Sequence, residues 1–570
     1  MGAVSALTVI GTAWAGVGLV PVSAPVAPEP DPAARTTAAE ASGAARAAAH
    51  QVAEGGTVAP PDLSGLSRLP DGEFLVGASE ASIAPDPEQW QTEGCSENGS
   101  GTDQAVDHLA TRITEDGALP GWPKSPDCVY LGGYGLGPGR AAVAVDPTID
   151  YRVQTLALSN GEQTLVWQMT PLVGFFARYR EDLCDGCGIL DIRRSIAEGL
   201  GIAVDNVAIG SNHSHGGADG YGAWGGMPTW YREQIRDTLA AAAFEAVAAM
   251  QPAQIEVGAV EARSFSNERR STYHSVQDVG ATWLQARSLP GGNEGGADPE
   301  VIATLVNFAA HPTVLGSGNR ALHGDWPSAA SEAMRQRLGG IGLVFEGGLG
   351  NVTPTRPRST ETDLTGDGEV NSYDQVLQMG ADFVDLVGRD IARGGTLLRS
   401  NHIAATDSTI THPVTNWTET ALGVANLLDR EFLPGTDGAD GPSSYEWNKG
   451  GTGSARPCAS AGPFSIKTQM TAYRVGELTA VTAPGEIFSS ISSIAKAKLR
   501  NAAFDGGQTM VFGQTQDSLG YIIQSYEQYP YHGVSAGTGG IEYEETFLLD
   551  RCFGDHVLDE MLTLGRAVWE

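Results

Sequence analysis

Basic residues are scarce in this chain. Lys and Arg together number 35 against 68 Asp and Glu, which gives a formal net charge of -33. A surface this acidic repels phosphate backbones and anionic lipid headgroups. We therefore expect no nucleic acid among the partners, and we interpret the charge mainly as a source of solubility.

Cysteine is also rare, with six residues among 570. A chain of this length buries a large core, so it does not need disulfides to fold. The even number allows three disulfides in any of 15 pairings. Cys184 and Cys187 have the spacing of half a zinc knuckle, but no second pair follows at a similar spacing. We expect either a disulfide or a redox-inactive thiol pair there.

Long apolar runs are lacking after the first 30 residues, which excludes a multispan membrane protein. Residues 1–30 form a signal-like apolar segment, although the basic residues that usually precede such a segment are missing. Residues 31–70 form an Ala/Pro-rich linker. We predict a secreted or cell-surface protein with structural disulfides and no integral membrane domain beyond an N-terminal anchor.

The rest of the chain, residues 71–570, contains no second long linker and no repeat, which predicts one large catalytic domain with loop insertions. Apolar runs alternate with helical patterns, so the expected fold class is α/β, with mixed β-sheets flanked by helices. The predicted strands are Phe74–Ala78, Val153–Leu158, Thr164–Gln168, Asn206–Gly210, Ile302–Phe308, Gly342–Phe345, Leu478–Thr482 and Thr509–Phe512. The clearest helical patterns are Thr229–Met250 and Ser328–Leu338.

Polar residues follow several of these strands directly. The fourth strand leads to His213 and His215, the fifth to His311, and the seventh to Glu486 at the start of a predicted helix. Ligand sites in α/β sheets collect at such strand ends. Two imidazoles, a carboxylate and a further oxygen donor, such as the Tyr521 hydroxyl, suit an open zinc site.

Each of these residues also has a purely structural interpretation. A His-x-His pair occurs in many folds, and a single histidine such as His311 is commonly a hydrogen-bonded loop residue. Glu486 in a first helical turn would stabilise the helix dipole without any metal. Tyr521 would be a packed aromatic residue with a satisfied hydroxyl.

In chain order, these segments resemble the catalytic domain of the neutral, non-lysosomal ceramidases. The segments that carry the resemblance are Phe74–Ala78, Ile83–Pro85, Leu131–Tyr134, Tyr151–Leu158, Asn212–Gly217, Asn307–Thr313, His323–Asp325, Gly350–Pro354, Ala483–Glu486 and Gly520–Tyr521. The resemblance implies one zinc ion held by His213, His311, Glu486 and Tyr521. It also implies hydrolysis of an N-acyl amide bond, in ceramide or a related N-acyl compound, by zinc-activated water.

The same resemblance implies three catalytic residues beside the metal. His215 would orient the substrate carbonyl or move a proton, Thr353 would place the substrate through its hydroxyl, and Tyr543 would donate a hydrogen bond to the oxyanion. The sequence also departs from the family pattern. The family's Gly-Asp-Val-Ser-Pro segment has Asn351 and Thr353 here, Ser518 stands where the family often has Tyr, and we expect no immunoglobulin-like domain after the catalytic domain.

A separate motif has the spacing of an EF-hand loop. Oxygen donors stand at loop positions 1, 3, 5, 9 and 12, and Gly368 stands at position 6. The candidate calcium ligands are Asp363, Thr365, Asp367, Glu369, Asn371 and Asp374. The loop resembles a dockerin-type calcium loop, and the alternative is an acidic, glycine-rich surface insertion.

Three functions compete at this level. The first is an exported zinc amidohydrolase of the ceramidase type with an N-acyl amide or lipid substrate. The second is a metal-dependent esterase on the same scaffold. The third is a calcium-stabilised extracellular binding protein without activity, which the presence of four intact zinc-ligand types disfavours.

Overall fold

The computed structural model describes residues 61–63, 66–92, 95, 127–270, 276–289, 299–357, 362–434, 462–500, 507–528 and 544–570. The signal-like segment, most of the linker and Tyr543 lie outside these ranges. Within the ranges, no helix has both the length and the apolar character needed to cross a membrane.

Twenty strands and seven α-helices occur in the described part of the chain. The strands are β1 Phe74–Ser82, β2 Ala144–Val145, β3 Arg152–Ser159, β4 Thr164–Thr170, β5 Val207–Ser211, β6 Gln251–Glu261, β7 Ser266–Glu268, β8 Gly280–Ser288, β9 Val301–Phe308, β10 Ala321–Leu322, β11 Ile341–Glu346, β12 Val352–Pro354, β13 Thr396–Leu397, β14 Ile403–Val414, β15 Leu433–Pro434, β16 Phe464–Val475, β17 Leu478–Thr482, β18 Glu486–Ile487, β19 Gln508–Phe512 and β20 Tyr521–Ile522. The helices are α1 Ile189–Leu200, α2 Thr229–Ala248, α3 Asp325–Arg337, α4 Ser372–Ile391, α5 Trp417–Val424, α6 Ser489–Arg500 and α7 Phe553–Ala567.

Two large mixed sheets form the centre of the fold. The first has the order β11-β9-β8-β6-β1-β3-β4-β5, with β13 beside β6. Its outer pairs β11–β9 and β4–β5 are parallel, and the pairs between them are antiparallel. The second has the order β14-β16-β17-β19, with β15 beside β16 and a parallel β17–β19 pair. Both sheets therefore carry parallel strand ends, where ligand sites of α/β proteins collect.

The two sheets pack face to face. Side chains alternate between the faces of a strand, and in β4 Leu165 and Trp167 point into the core between the sheets while Val166 points away from it. Trp167 meets Phe512 of the second sheet, with ring centroids 5.3 Å apart. This apolar contact layer makes the two sheets a single β-sandwich.

Helices cover the outer faces of both sheets. α1 and α2 share a core with one part of the first sheet, and α3 and α4 share a core with another part. α6 and α7 pack against the second sheet. The result is four layers, helix, sheet, sheet and helix. The predicted α/β class with helix-flanked mixed sheets is confirmed.

The local predictions hold where the apolar pattern is strong. All eight predicted strands are present, and the predicted Thr229–Met250 helix corresponds to α2. α3 begins at Asp325, three residues before the predicted start. Cys184 and Cys187 form a disulfide, as does the pair Cys95 and Cys128, and Cys552 is also disulfide-bonded.

Glu419 on α5 leads to a prediction about stability and pH. Burial raises the pKa of its carboxyl to about 8. The folded state therefore keeps a proton that the unfolded chain releases above about pH 4.5, so this group lowers stability as pH rises from about 4.5 to 8. Glu419→Gln should raise the free energy of unfolding by roughly 2–4 kcal/mol at pH 8 and change it little at pH 4.

Thermal melts of Glu419→Gln at the two pH values test this prediction. Glu88→Gln at an exposed position is the matched control. An equal effect of Glu419→Gln at both pH values would contradict it.

Candidate metal centre

The predicted ligands meet where the ends of strands from both sheets come together. β5 leads to His213 and β9 leads to His311, both from the first sheet. Glu486 begins β18, directly after β17 of the second sheet. The loop after β19 ties the two sheets, because the Ser211 amide donates to the carbonyl of Gln514 at 2.9 Å. The centre therefore lies at the junction of the two sheets.

A single carboxylate oxygen lies between the two histidines. Glu486 Oε2 is 3.2 Å from His311 Nε2 and 3.4 Å from His213 Nε2. All three side chains are buried. α6 begins only at Ser489, so the interpretation of Glu486 as a residue in a first helical turn is wrong. The carboxylate instead faces the imidazoles.

The other ring nitrogen of each histidine is held by the backbone. His213 Nδ1 lies 2.6 Å from the carbonyl oxygen of Val173, and His311 Nδ1 lies 2.7 Å from that of Leu349 and 2.9 Å from that of Val352. A carbonyl only accepts, so each Nδ1 carries the proton and each Nε2 presents a lone pair. This is the arrangement that fixes the tautomer of metal-binding histidines.

The charges at this point fit a cation. Burial and the charge of Arg269 lower the pKa of His311 to about 4. Burial raises the pKa of Glu486, but His213 and His311 outweigh it and hold that pKa well below its usual range. A neutral imidazole lone pair and a carboxylate oxygen at 3.2 Å repel each other unless a positive charge lies between them. A metal ion bound at this point would supply that charge.

His215 joins the same cluster. Its Nε2 is 3.4 Å from His213 Nε2, and ligand nitrogens of His213, His215 and His311 all lie within 4.8 Å of one another. The sequence predicts His215 as a catalytic residue beside the metal, and this position is close to the other two histidines. His213 has φ 61°, a left-handed conformation that bends the chain between β5 and His215. The three histidines are able to hold a metal ion.

His215 differs from the other two histidines at its second nitrogen. Its Nδ1 is buried and has no hydrogen-bond partner in the described part of the chain, whereas His213 and His311 each donate from Nδ1 to a carbonyl. Burial and the neighbouring imidazoles hold the pKa of His215 well below its usual value. The tautomer of His215 is therefore not fixed by a carbonyl, and either nitrogen is able to carry its proton.

Tyr521 lies next to Glu486. β18 and β20 pair in parallel with Glu486 opposite Tyr521, so the two side chains leave adjacent strands. Arg269 donates from Nη2 to the Tyr521 hydroxyl at 3.1 Å and to the Gly350 carbonyl at 2.6 Å, and its Nε lies 3.0 Å from Glu544. Sequence reasoning missed Arg269, since nothing in the local pattern around β7 distinguishes it from a surface arginine.

The contact with Arg269 gives a prediction about metal affinity. A cation that donates to the phenol oxygen stabilises the phenolate and orients the ring. If Tyr521 is a zinc ligand, as the family resemblance implies, Arg269→Met should weaken zinc binding about 10–100-fold, the usual cost of losing a partner of a metal ligand. Competition with a chelator measures the change. Arg263→Met, at an exposed arginine, is the control; equal zinc affinities of the two variants would contradict the prediction.

The remaining predicted catalytic residues have different outcomes. Thr353 follows Val352, whose carbonyl accepts from His311, and its hydroxyl lies 3.5 Å from the Asn267 carbonyl. Thr353 therefore lies at the edge of the candidate metal centre. Tyr543 lies outside the described residues, one position before the 3₁₀ turn Glu544–Phe547. Gln514, another residue that sequence reasoning missed, lies 3.2 Å from His213 Nδ1 through its amide nitrogen.

The predicted calcium loop lies apart from the histidines, at the start of α4. Asp363 accepts from the amides of Gly366 at 2.6 Å and Gly368 at 2.8 Å, and Gly368 has φ 92°. Asp374 caps α4 together with Asn371. The helix that follows buries an apolar face that comprises Val376, Phe383, Val384, Val387 and Ile391. Calcium binding by the loop stays a prediction.

Calcium titration tests that prediction. Ca²⁺ at about one hundred times its Kd should stabilise the folded protein by about 3 kcal/mol, which a thermal melt detects. Asp363→Asn should abolish the calcium-dependent increase in Tm, whereas Asp382→Asn on the exposed side of α4 should keep it. An unchanged Tm of the unmodified protein in calcium would contradict the prediction.

No protein-family model matches the chain, and no curated protein matches it in sequence. Among solved structures, the neutral ceramidase from Pseudomonas aeruginosa is similar with a TM-score of 0.54 and 14% identity, over 87% of this chain and 75% of that chain. A ceramidase complexed with C2 is similar with a TM-score of 0.55 and 14% identity, over 88% of this chain and 76% of that chain. The chain therefore has a neutral ceramidase-like fold, as the sequence motifs predict.

Proposed function

We propose that this protein is an exported, zinc-dependent amidohydrolase that cleaves the N-acyl amide bond of ceramide or a related N-acyl compound. One observation carries the proposal. His213 and His311 direct their Nε2 lone pairs at one Glu486 oxygen while backbone carbonyls hold their Nδ1 atoms. This pre-formed ligand set lies at strand ends of a fold similar to that of a neutral ceramidase.

The proposed roles follow from the geometry and the motifs. His213, His311, Glu486 and Tyr521 would hold the zinc. When bound in such a site, zinc lowers the pKa of a water molecule toward neutrality and polarises a carbonyl group. Imidazole, carboxylate and phenol are donors that zinc accepts, and a site with few protein ligands keeps a position open for substrate.

The neighbouring side chains would handle the proton and the substrate. His215 has an unfixed tautomer and a low pKa, so it is neutral near pH 7 and is able to accept a proton at one nitrogen. We assign to it the transfer of a proton to the leaving amine or the orientation of the substrate carbonyl. Thr353 would place the substrate through its hydroxyl, and Tyr543 would donate a hydrogen bond to the oxyanion.

Export accounts for the cysteine chemistry. Cys95–Cys128, Cys184–Cys187 and the disulfide-bonded Cys552 suit an oxidising compartment. The net charge of -33 disfavours docking on an anionic membrane. We therefore expect soluble, short-acyl amides to be cleaved at least as well as long-chain ceramides.

A parallel assay of four substrates tests the function. Purified, zinc-loaded protein is given a short-acyl ceramide, a long-acyl ceramide, a simple N-acyl amide and the matched ester, with His213→Ala as the zinc-free control. The proposal is supported if the intact protein cleaves the amides and the His213→Ala variant does not. Cleavage of the ester without any amide would establish the esterase alternative, and zinc-loaded protein without activity on any of the four would favour a binding protein. A clear preference for long-chain ceramide would contradict the expectation about solubility.

A further inference from the structure

We propose that Arg140 and Tyr134 are positioning residues for His215, so that together they set the direction of its Nε2. Only the expected effect of these residues on turnover rests on the proposed function. The position of the His215 ring is a separate, measurable quantity.

Arg140 ties together the three chain segments that surround His215. Its guanidinium donates to the carbonyl of Gly132 at 2.7 Å, to that of His215 itself at 3.0 Å and to that of Asn319 at 3.3 Å. Each of these acceptors lies on a different loop. One planar cation therefore fixes the backbone on which the His215 ring stands.

Arg140 is buried, and the groups that accept its hydrogen bonds are neutral carbonyls. The side chain is 6% exposed, and among the described residues its Nε has no hydrogen-bond partner. Burying a cation among neutral carbonyls costs free energy that an ion pair would partly offset. Hydrogen bonds to the three carbonyls offset part of this cost and hold the guanidinium in place beside Tyr134.

Tyr134 connects this cation to the His215 ring. The Arg140 guanidinium carbon lies 4.8 Å from the Tyr134 ring centroid, a distance typical of cation–π contacts. The Tyr134 ring in turn lies 4.9 Å from the His215 ring with an interplanar angle of 77°. The edge-to-face contact restrains rotation of the imidazole about its side-chain torsions.

The backbone at Gly133 closes the same side of the ring. Gly133 has φ 100°, and a Cβ atom there would lie 2.2 Å from His215 Nδ1. The glycine lets the backbone approach the imidazole so closely that no side chain fits between them. Since Nδ1 of His215 has no hydrogen-bond partner, packing by Gly133 and Tyr134 and the anchoring by Arg140 replace the carbonyls that orient His213 and His311.

Four variants test the proposal: Arg140→Met, Arg140→Lys, Tyr134→Leu and, as a matched control, Arg193→Met. Arg193 is also a buried arginine that donates to backbone carbonyls, those of Val207 and Val204, but it lies under β5 away from the histidines. For each variant we would measure zinc per chain, kcat and KM on the N-acyl amide, and the His215 ring position in a crystal structure of the zinc-loaded protein.

We expect Arg140→Met and Tyr134→Leu to displace the His215 ring and to lower kcat about 10–100-fold, the order of effect that a misplacement near 1 Å produces. Zinc content should not change, and KM should stay within about threefold. Arg140→Lys should recover part of kcat, because an ammonium donates to carbonyls but does not stack as a planar group. Arg193→Met should lower Tm and leave kcat unchanged.

Two results would overturn the proposal. One is an undisplaced His215 ring in both Arg140→Met and Tyr134→Leu, and the other is a loss of kcat no larger than in Arg193→Met. If Arg140→Met alone does not fold, Tyr134→Leu at a partly exposed position still decides the question. Should the intact protein fail to cleave any amide, the proposed function fails, and the ring positions still test the positioning role.

Discussion

Replacing His213 or His311 by Ala should reduce bound zinc to well below one ion per chain and lower amide hydrolysis by at least about 10³-fold. Each substitution removes one of two buried imidazoles that face Glu486 Oε2 at 3.2–3.4 Å, and an open site with so few donors cannot lose one without a large loss of affinity. A 10³-fold loss of rate corresponds to a barrier increase of about 4 kcal/mol. Elemental analysis and single-substrate kinetics measure the two effects.

His402→Ala is the matched control for these variants. His402 is an exposed histidine directly before β14. It lies at the end of the second sheet that is opposite to the metal centre. It should retain full zinc and full activity. Full zinc in both His213→Ala and His311→Ala would exclude the assigned ligands.

Replacing His215 by Ala should separate metal binding from proton transfer. The variant should keep its zinc and lose about 10²–10⁴-fold in kcat, the range that a positioned acid or base contributes. Two structural facts favour this outcome: among the described residues the Nδ1 of His215 lacks the carbonyl partner that the ligand histidines have, and its ring packs edge-to-face against Tyr134. Zinc content and kcat, measured on the same preparation, check it.

Loss of zinc in His215→Ala would show that the metal is held by the three histidines instead. In that case the cluster of His213, His215 and His311 within 4.8 Å describes the ligands, and Tyr521 is a hydrogen-bond partner of Arg269 rather than a ligand. His215→Asn separates the effect of polarity from that of proton transfer. An amide keeps some polarity near the metal but does not transfer a proton at neutral pH.

Sequence reasoning succeeds where a continuous apolar run ends in a polar residue. β9 and β17 are such runs, and their ends deliver His311 and Glu486 to the same point. Runs of this kind are buried on both faces, which makes them recognisable without any knowledge of their partners. The positions of the candidate ligands were therefore predictable.

The long strands β14 and β16 were not predicted. Residues such as Asp407 and Lys467 interrupt their apolar pattern, because part of each strand is exposed. Their pairing, and the face-to-face contact of the two sheets, depends on residues far apart in the chain, which no local pattern reports. The left-handed turn at His213 was missed for the same reason, since tertiary contacts hold it in place.

The position of the candidate metal centre at the junction of the two sheets has a consequence for biosynthesis. His311 and Glu486 are 175 residues apart in the chain, and Gln514, which contacts His213, is 301 residues from it. A ribosome-bound chain that has completed the first sheet holds two imidazoles without their carboxylate partner. Assembly of the proposed metal centre thus depends on synthesis of the second sheet, because the chain before that point lacks the carboxylate that faces the two imidazoles.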